Sequence, residues 1–137
     1  MTRSRAGIDT TPTFHDGLFE GVWISDKKTV HLFLRTADNN RLRMVLRRVR
    51  AMKLSNIREG NIIFDITVLD TDELTASHIV SVYEISDINR DQQTSKLLTL
   101  AREKRLKMLE LRSSYGAEGA VLYETAELSE TTIMGDL

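Results

Sequence analysis

The chain has 137 residues, 41% of them apolar and 28% charged, values that suit one folded domain with a real core and exclude wholesale disorder. It contains no cysteine, which excludes disulfides, thiolate catalysis and cysteine-ligated zinc. Net charge is −1, but residues 1–58 hold 12 Lys or Arg against 5 Asp or Glu, net +7, and residues 59–137 hold 7 against 15, net −8.

Such an asymmetry marks an anion-binding face, or two faces that complement each other within the fold or across a dimer. Folding interleaves the two halves in space, so complementarity is the expected outcome.

Residues 1–13 are small, polar and unpatterned, and are expected to form a flexible tail. Their basic residues are followed by no apolar run, so they do not read as a secretory signal. No stretch approaches the roughly 20 apolar residues of a membrane span, and a cytoplasmic location is expected. Phe14-His15-Asp16-Gly17 introduces a first strand, Leu18 to Ile24, where Gly21 marks a bulge or a close backbone approach. In the next run Val30, Leu32 and Leu34 alternate with Thr29, His31, Phe33 and Arg35. In the third, Leu42, Met44 and Leu46 alternate with Arg41, Arg43, Val45 and Arg47. A period of two marks strands with one buried face. The connections Ser25-Asp26-Lys27-Lys28 and Ala37-Asp38-Asn39-Asn40 suit hairpins, because Asp and Asn bond locally and tolerate left-handed backbone. An antiparallel three-stranded meander is predicted.

Beyond it, Ala51 to Ile57 is a less regular stretch with Met52, Leu54 and Ile57 placed to face inward, and Arg58-Glu59-Gly60-Asn61 is a turn. Ile62 to Leu69 reads as a central strand, with Ile62, Phe64, Ile66 and Val68 on its apolar face. Asp70 to Glu73 is expected to cap a single helical turn ending near His78, followed by a strand from Ile79 to Ile85. The one full helix is predicted from Gln92 to Arg105, capped by Asp91 and docked through Leu97, Leu98, Leu100 and Ala101. Leu106 to Leu111 could prolong this helix but is read as a strand, Ser113 to Ala117 as a turn, and Ala120 to Thr125 as a final strand. The expected fold is α+β, a mainly antiparallel sheet of about six or seven strands with one helix packed on a face. A single domain over residues 14–126 is expected, between a tail at 1–13 and a loose tail at 127–137.

Three constellations bear on chemistry. His15-Asp16 matches a metal-binding pair, but it precedes a strand and only His31 and His78 accompany it, neither at ligand spacing, so a turn is expected. Asp65 with Asp70, Asp72 and Glu73 would need to gather at one sheet end to serve acid–base or hard-cation chemistry, whereas a cap and a solvated strand end explain them equally well. No nucleophile elbow, phosphate loop or dinucleotide fingerprint occurs. No catalytic residue, metal ligand or cofactor is therefore assigned.

The third constellation is basic. Arg41, Arg43, Arg47, Arg48, Arg50, Lys53 and Arg58 fall in a stretch without an acid. Arg41, Arg43 and Arg47 project on one side of a strand, and the neighbouring strand adds Phe33 and Arg35. Basic side chains around an aromatic suit phosphate contact and base stacking, so these five residues form the candidate binding face for nucleic acid or another anion. A solvated face paired with acids from the second half is the competing reading. The aromatic content of 6% and the pI near 6.3 favour that competitor.

Phe14-His15-Asp16-Gly17, Glu59-Gly60-Asn61-Ile62-Ile63-Phe64-Asp65 and Ser113-Ser114-Tyr115-Gly116-Ala117-Glu118 together resemble small bacterial single-domain proteins. Some of these are similar to immunity proteins of toxin systems. The resemblance spans about Phe14 to Thr125. It implies an α+β protein without catalysis that works by binding another protein, and it supplies no site residues. The expected function is a non-enzymatic protein-interaction module of the immunity-like inhibitor type, with another protein or a second copy as partner. Nucleic-acid or anion binding through the arginine face is the alternative.

Overall fold

A computed structural model describes residues 14–131. The fold is α+β: an eight-stranded antiparallel sheet with two helices packed against it. The strands are β1 (Leu18–Asp26), β2 (Thr29–Arg35), β3 (Arg41–Arg47), β4 (Ala51–Ser55), β5 (Asn61–Leu69), β6 (Lys107–Tyr115), β7 (Glu118–Tyr123) and β8 (Thr125–Glu130), in spatial order β4-β7-β6-β5-β1-β2-β3-β8. The helices are α1 (Ala76–Tyr83) and α2 (Arg90–Glu103).

The predicted meander is present, and its turns show why the sequence encodes it. Asp26 accepts a bond from the Lys28 N–H (2.9 Å), and Thr36 Oγ1 donates to Asp38 (2.6 Å) while Asn39 takes φ 75°. Val30, Leu32, Leu34, Met44 and Leu46 are buried, as period-two alternation requires.

The sheet folds over on itself because two strand connections are nearly continuous. Only Arg48, Val49 and Arg50 separate β3 from β4, and only Glu124 separates β7 from β8. Arg50 N–H donates to Leu122 O (2.8 Å) and Glu124 N–H to Arg47 O (3.1 Å), which keeps the two chains paired through the bend. Opposite the bend, β1 meets β5 only at Leu18–Ile62 and Phe19–Asn61. The halves β4-β7-β6-β5 and β1-β2-β3-β8 thus enclose one core, with Phe19, Leu32 and Met44 from one half packed with Ile66, Leu111 and Tyr123 from the other. Burial pushes the Tyr123 phenol well above its usual pKa.

A second core lies outside the first half, where Ile79, Val82, Ile85 and Ala101 meet Met108 and Leu122. It explains why this half has apolar residues on both faces: Leu109 and Val121 point to the inner core, Met108 and Leu122 to the helices.

Several expectations change, among them the single helix, which becomes two, and the turn at Ser113 to Ala117, whose first three residues end β6. Ile79 to Ile85 is not a strand: its residues to Tyr83 belong to α1, started by a reciprocal capping box in which the Thr75 N–H donates to His78 Nδ1 (3.0 Å). Glu127 to Glu130 is not loose tail but part of β8, so the domain runs past residue 126. Residues 1–13 and 132–137 lie outside the described residues. In β5, bulges put two successive residues on one side and shift the phase, so Ile63 and Ile66 are buried while Ile62 and Phe64 stand 39% and 44% exposed. Ile57 faces outward, and Leu100 falls outside the helix–sheet core that Leu97, Leu98 and Ala101 join.

Candidate functional site

The outer face of β1-β2-β3-β8 is covered by no described element and presents rows of side chains set by the strand register. Phe33 lies opposite Arg43, His31 opposite Val45, and Arg35 opposite Arg41. Trp23 lies opposite His31, and their rings stack at 4.5 Å with an interplanar angle of 28°. All five predicted residues, Phe33, Arg35, Arg41, Arg43 and Arg47, therefore share one face, as alternation requires. His31 belongs to this face, as its alternation with Phe33 and Arg35 predicts, and Trp23 joins it but escaped the sequence reading. Only the β1–β2 register, with its bulge at Glu20, fixes which side Trp23 takes.

The arginines on this face are mostly engaged. Glu20, displaced outward at the bulge, accepts from Arg35 Nη2 (2.6 Å) and lies 3.6 Å from Arg41. Arg47 pairs with Glu127 of β8 (3.6 Å). Around the bend, Glu124 takes Arg48 (3.8 Å) and Arg50 (3.9 Å), and Lys53 reaches Glu84 (3.1 Å). Arg58 instead lies over the Tyr115 ring, 5.7 Å from its centroid. Arg43 has no ion pair or hydrogen bond among the described residues. His31 titrates below the usual histidine range, chiefly because of burial and then because Arg43 and Arg47 oppose its protonation.

A second cluster occupies the corner where β1 meets β5, and all three phrases behind the family resemblance converge there. Asp16 N–H donates to Ile63 O and Ile63 N–H to Gly17 O, both at 2.9 Å. Asn61 ties the other two phrases together. Its Oδ1 accepts from Arg58 N–H (2.7 Å) and Ala117 N–H (2.9 Å), and its Nδ2 donates to Arg58 O (2.9 Å) and Phe19 O (3.3 Å). Gly116 has φ 94°, and a Cβ there would run into the Asn61 side chain. The motifs are thus the joinery of a corner.

No family model, curated protein or solved structure matches the chain.

On the outside of that corner Ile62, Phe64 and Tyr115 are exposed, and Arg112 lies over the Phe64 ring at 5.2 Å. Arg112 also grips Asp65 with two bonds, of 2.9 and 2.7 Å, which hold the Asp65 carboxyl below its usual range. His15 Nδ1–H donates to the Phe64 carbonyl (2.7 Å). The carboxylates considered for acid–base work do not gather. Asp65 faces Arg112, while the Asp70 N–H donates to the Glu73 carboxylate (2.7 Å) in the cap beyond the other end of β5. Among the described residues no group of three or more His, Asp or Glu is placed to hold a metal ion. No described helix is long and apolar enough to cross a membrane.

Two larger concavities are also lined by described residues. One of about 820 Å³ runs along α2, where Glu103 and Lys96 are the only charged groups. Another of about 390 Å³ opens where β1 leaves β5, between Glu20-Gly21-Val22 and Ile57 to Gly60. In the first, no hydrogen bond joins Ser95 or Thr99 to Lys96 or Glu103, and the second is lined by no serine, threonine or histidine.

Proposed function

We propose that the protein is a non-enzymatic interaction module that binds a partner protein through the outer face of β1-β2-β3-β8. The observation that carries this reading is the Trp23–His31 stack beside Phe33 on an uncovered sheet face whose arginines are largely neutralised in place. Aromatic side chains and arginine are the residues that dominate protein interfaces, and a rigid sheet pays little ordering entropy when it docks. A phosphate backbone, by contrast, needs a row of free cations whose counterions it releases. In the acid-free basic stretch, Arg41, Arg47, Arg48, Arg50 and Lys53 already face carboxylates. Carried to its sharpest form, with the resemblance to immunity proteins, the partner is a bacterial toxin that the module blocks by covering its surface.

Site-resolved photo-crosslinking in cells tests the proposal. A crosslinking residue at Trp23 or Phe33 is expected to give one defined protein adduct, and the same residue at Lys96 on α2 none. Equal adducts at Lys96, or none at either face position, would overturn it. Adducts to nucleic acid alone would favour the alternative through Phe33, Arg35, Arg41, Arg43 and Arg47.

A further inference from the structure

We propose that Arg43 and His31 form an anion-accepting seat on this face, which takes a side-chain carboxylate from an acidic segment of the partner protein. The inference rests on the reading of the face as protein-binding. The Nε atom of Arg43 is shut off from solvent and meets no acceptor among the described residues. Arg35 Nε and Arg50 Nε are enclosed in the same way, but their guanidinium ends have carboxylate partners and that of Arg43 has none, while His31 Nδ1 is likewise enclosed and unbonded. His31 Nε2 is engaged by Ser25 Oγ at 2.9 Å, so Nδ1 is the free end of the ring. Because Phe33 is opposite Arg43 and His31 opposite Val45, Arg43 and His31 are diagonal neighbours on adjacent strands. Val45 points to the same outer side yet is 4% exposed, which gives the seat an apolar floor between Arg43 and Arg47.

Because Nε is enclosed, an outside group reaches the Arg43 guanidinium through its Nη edge, and a guanidinium without a carboxylate partner is the natural seat for one. The charged groups around the seat identify that group. Glu20 is occupied by Arg35 and Arg41, Glu127 by Arg47, and Asp26 by the Lys28 N–H and Thr29 hydroxyl. Among the described residues, the Arg43 charge is the one on the face left without an ion pair. A carboxylate presents two oxygens to a guanidinium edge, which matches the fork geometry, and the flanking Phe33 and Trp23 suit the apolar neighbours of a peptide. One free cation suits a single side chain and not a phosphate chain.

The test is a nuclear magnetic resonance titration of the labelled chain, reading Arg43 Nε–H and the His31 ring. The probes are a capped tetraglutamate peptide and a single-stranded oligothymidylate. Saturable shifts at Arg43 and His31 with the peptide are expected, together with a rise in the His31 titration midpoint as the bound anion offsets its cationic neighbours. R43Q should weaken the peptide at least about tenfold, and R43K, which keeps the charge and loses the fork, should fall between. Circular dichroism confirms that both variants fold, and unaltered binding in a folded R43K variant with R43Q would overturn the seat. So would an absence of peptide shifts up to several millimolar, which leaves water as the only occupant. Tighter oligothymidylate binding spread over Arg35, Arg41 and Arg47 would overturn both the seat and the protein-binding reading. If R43Q leaves the crosslinks at Trp23 and Phe33 intact, the seat fails while the face reading survives.

Discussion

Asn61→Ala is the most demanding check on how the corner is held. Asn61 is 7% exposed and its amide satisfies two N–H groups and two carbonyls drawn from three separate segments. The bonds to Ala117 N–H and Phe19 O are buried, so removing the amide strands a donor and an acceptor away from water. Each such orphan costs about 1–3 kcal/mol. The two Arg58 groups are at a part-buried turn and can turn to solvent, which adds about 1 kcal/mol or less in total. The expected loss is about 3–5 kcal/mol, a large fraction of the ~5–15 kcal/mol that stabilises an ordinary domain. With a urea slope near ~1.5–2 kcal/mol per molar, the unfolding midpoint should fall by roughly 2 M. Far-UV circular dichroism measures it, with exposed Ser129→Ala as the control expected to change little. A loss below about 1 kcal/mol would refute the corner as a structural joint. The three motif phrases would then need a functional explanation.

Three further outcomes follow from the same structure. Gly116→Ala should destabilise because its φ of 94° disfavours a side chain and the new Cβ meets Asn61; combined with Asn61→Ala the losses should fall short of additive, since both act on one network. Ile79→Ala, at a fully buried position of α1, should cost about 2–5 kcal/mol, whereas Leu100→Ala, outside the helix–sheet core, should cost well under half as much in the same urea assay. His31 has a folded pKa below the ordinary 6.5, so the neutral ring is the form the fold prefers. Its contribution is full above pH 6.5 and is lost as the pH falls from there toward the lowered folded value. Urea midpoints should therefore drop less between pH 7.5 and 5.5 in H31Q than in the wild-type chain.

The meander was legible because two signals agreed: strict alternation and turn residues that bond locally. Elsewhere one signal acted alone and misled. Ile79-Val80-Ser81-Val82-Tyr83 is rich in β-branched and aromatic residues, which reads as strand. The spacing of buried Ile79 and Val82 is helical, however, and burial against Met108 and Leu122 with the Thr75–His78 cap overrides propensity. The phase error in β5 has a different origin. Alternation predicts a face only while the ladder is regular, and the bulges around Ile63 and Phe64 break it. β8 was missed because Thr125-Ala126-Glu127-Leu128-Ser129-Glu130 buries only Ala126 and Leu128, and its partner β3 is far away in sequence.

The same distinction separates what could be read of the candidate face from what could not. Side of strand is local information, so the co-facing of Arg41, Arg43 and Arg47 was readable. Pairing is not local: Glu20 reaches Arg35 through a bulge, and Glu124 and Glu127 arrive from strands laid down some 80 residues later. Those pairs change the meaning of the charge asymmetry. The excess of +7 in the first 58 residues is in large part an address for the acidic second half, met at Arg47–Glu127, at Arg48 and Arg50 with Glu124, and at Lys53–Glu84. Each exposed pair is worth only about 0–1 kcal/mol, so their effect lies more in discharging the surface than in stabilising the fold. On a face neutralised in this way, one cation left over is more informative than seven would be. Among the described residues Arg43 is that cation, beside His31 and two aromatic rings, and on the proposal made above it marks where the face has kept a charge for a partner.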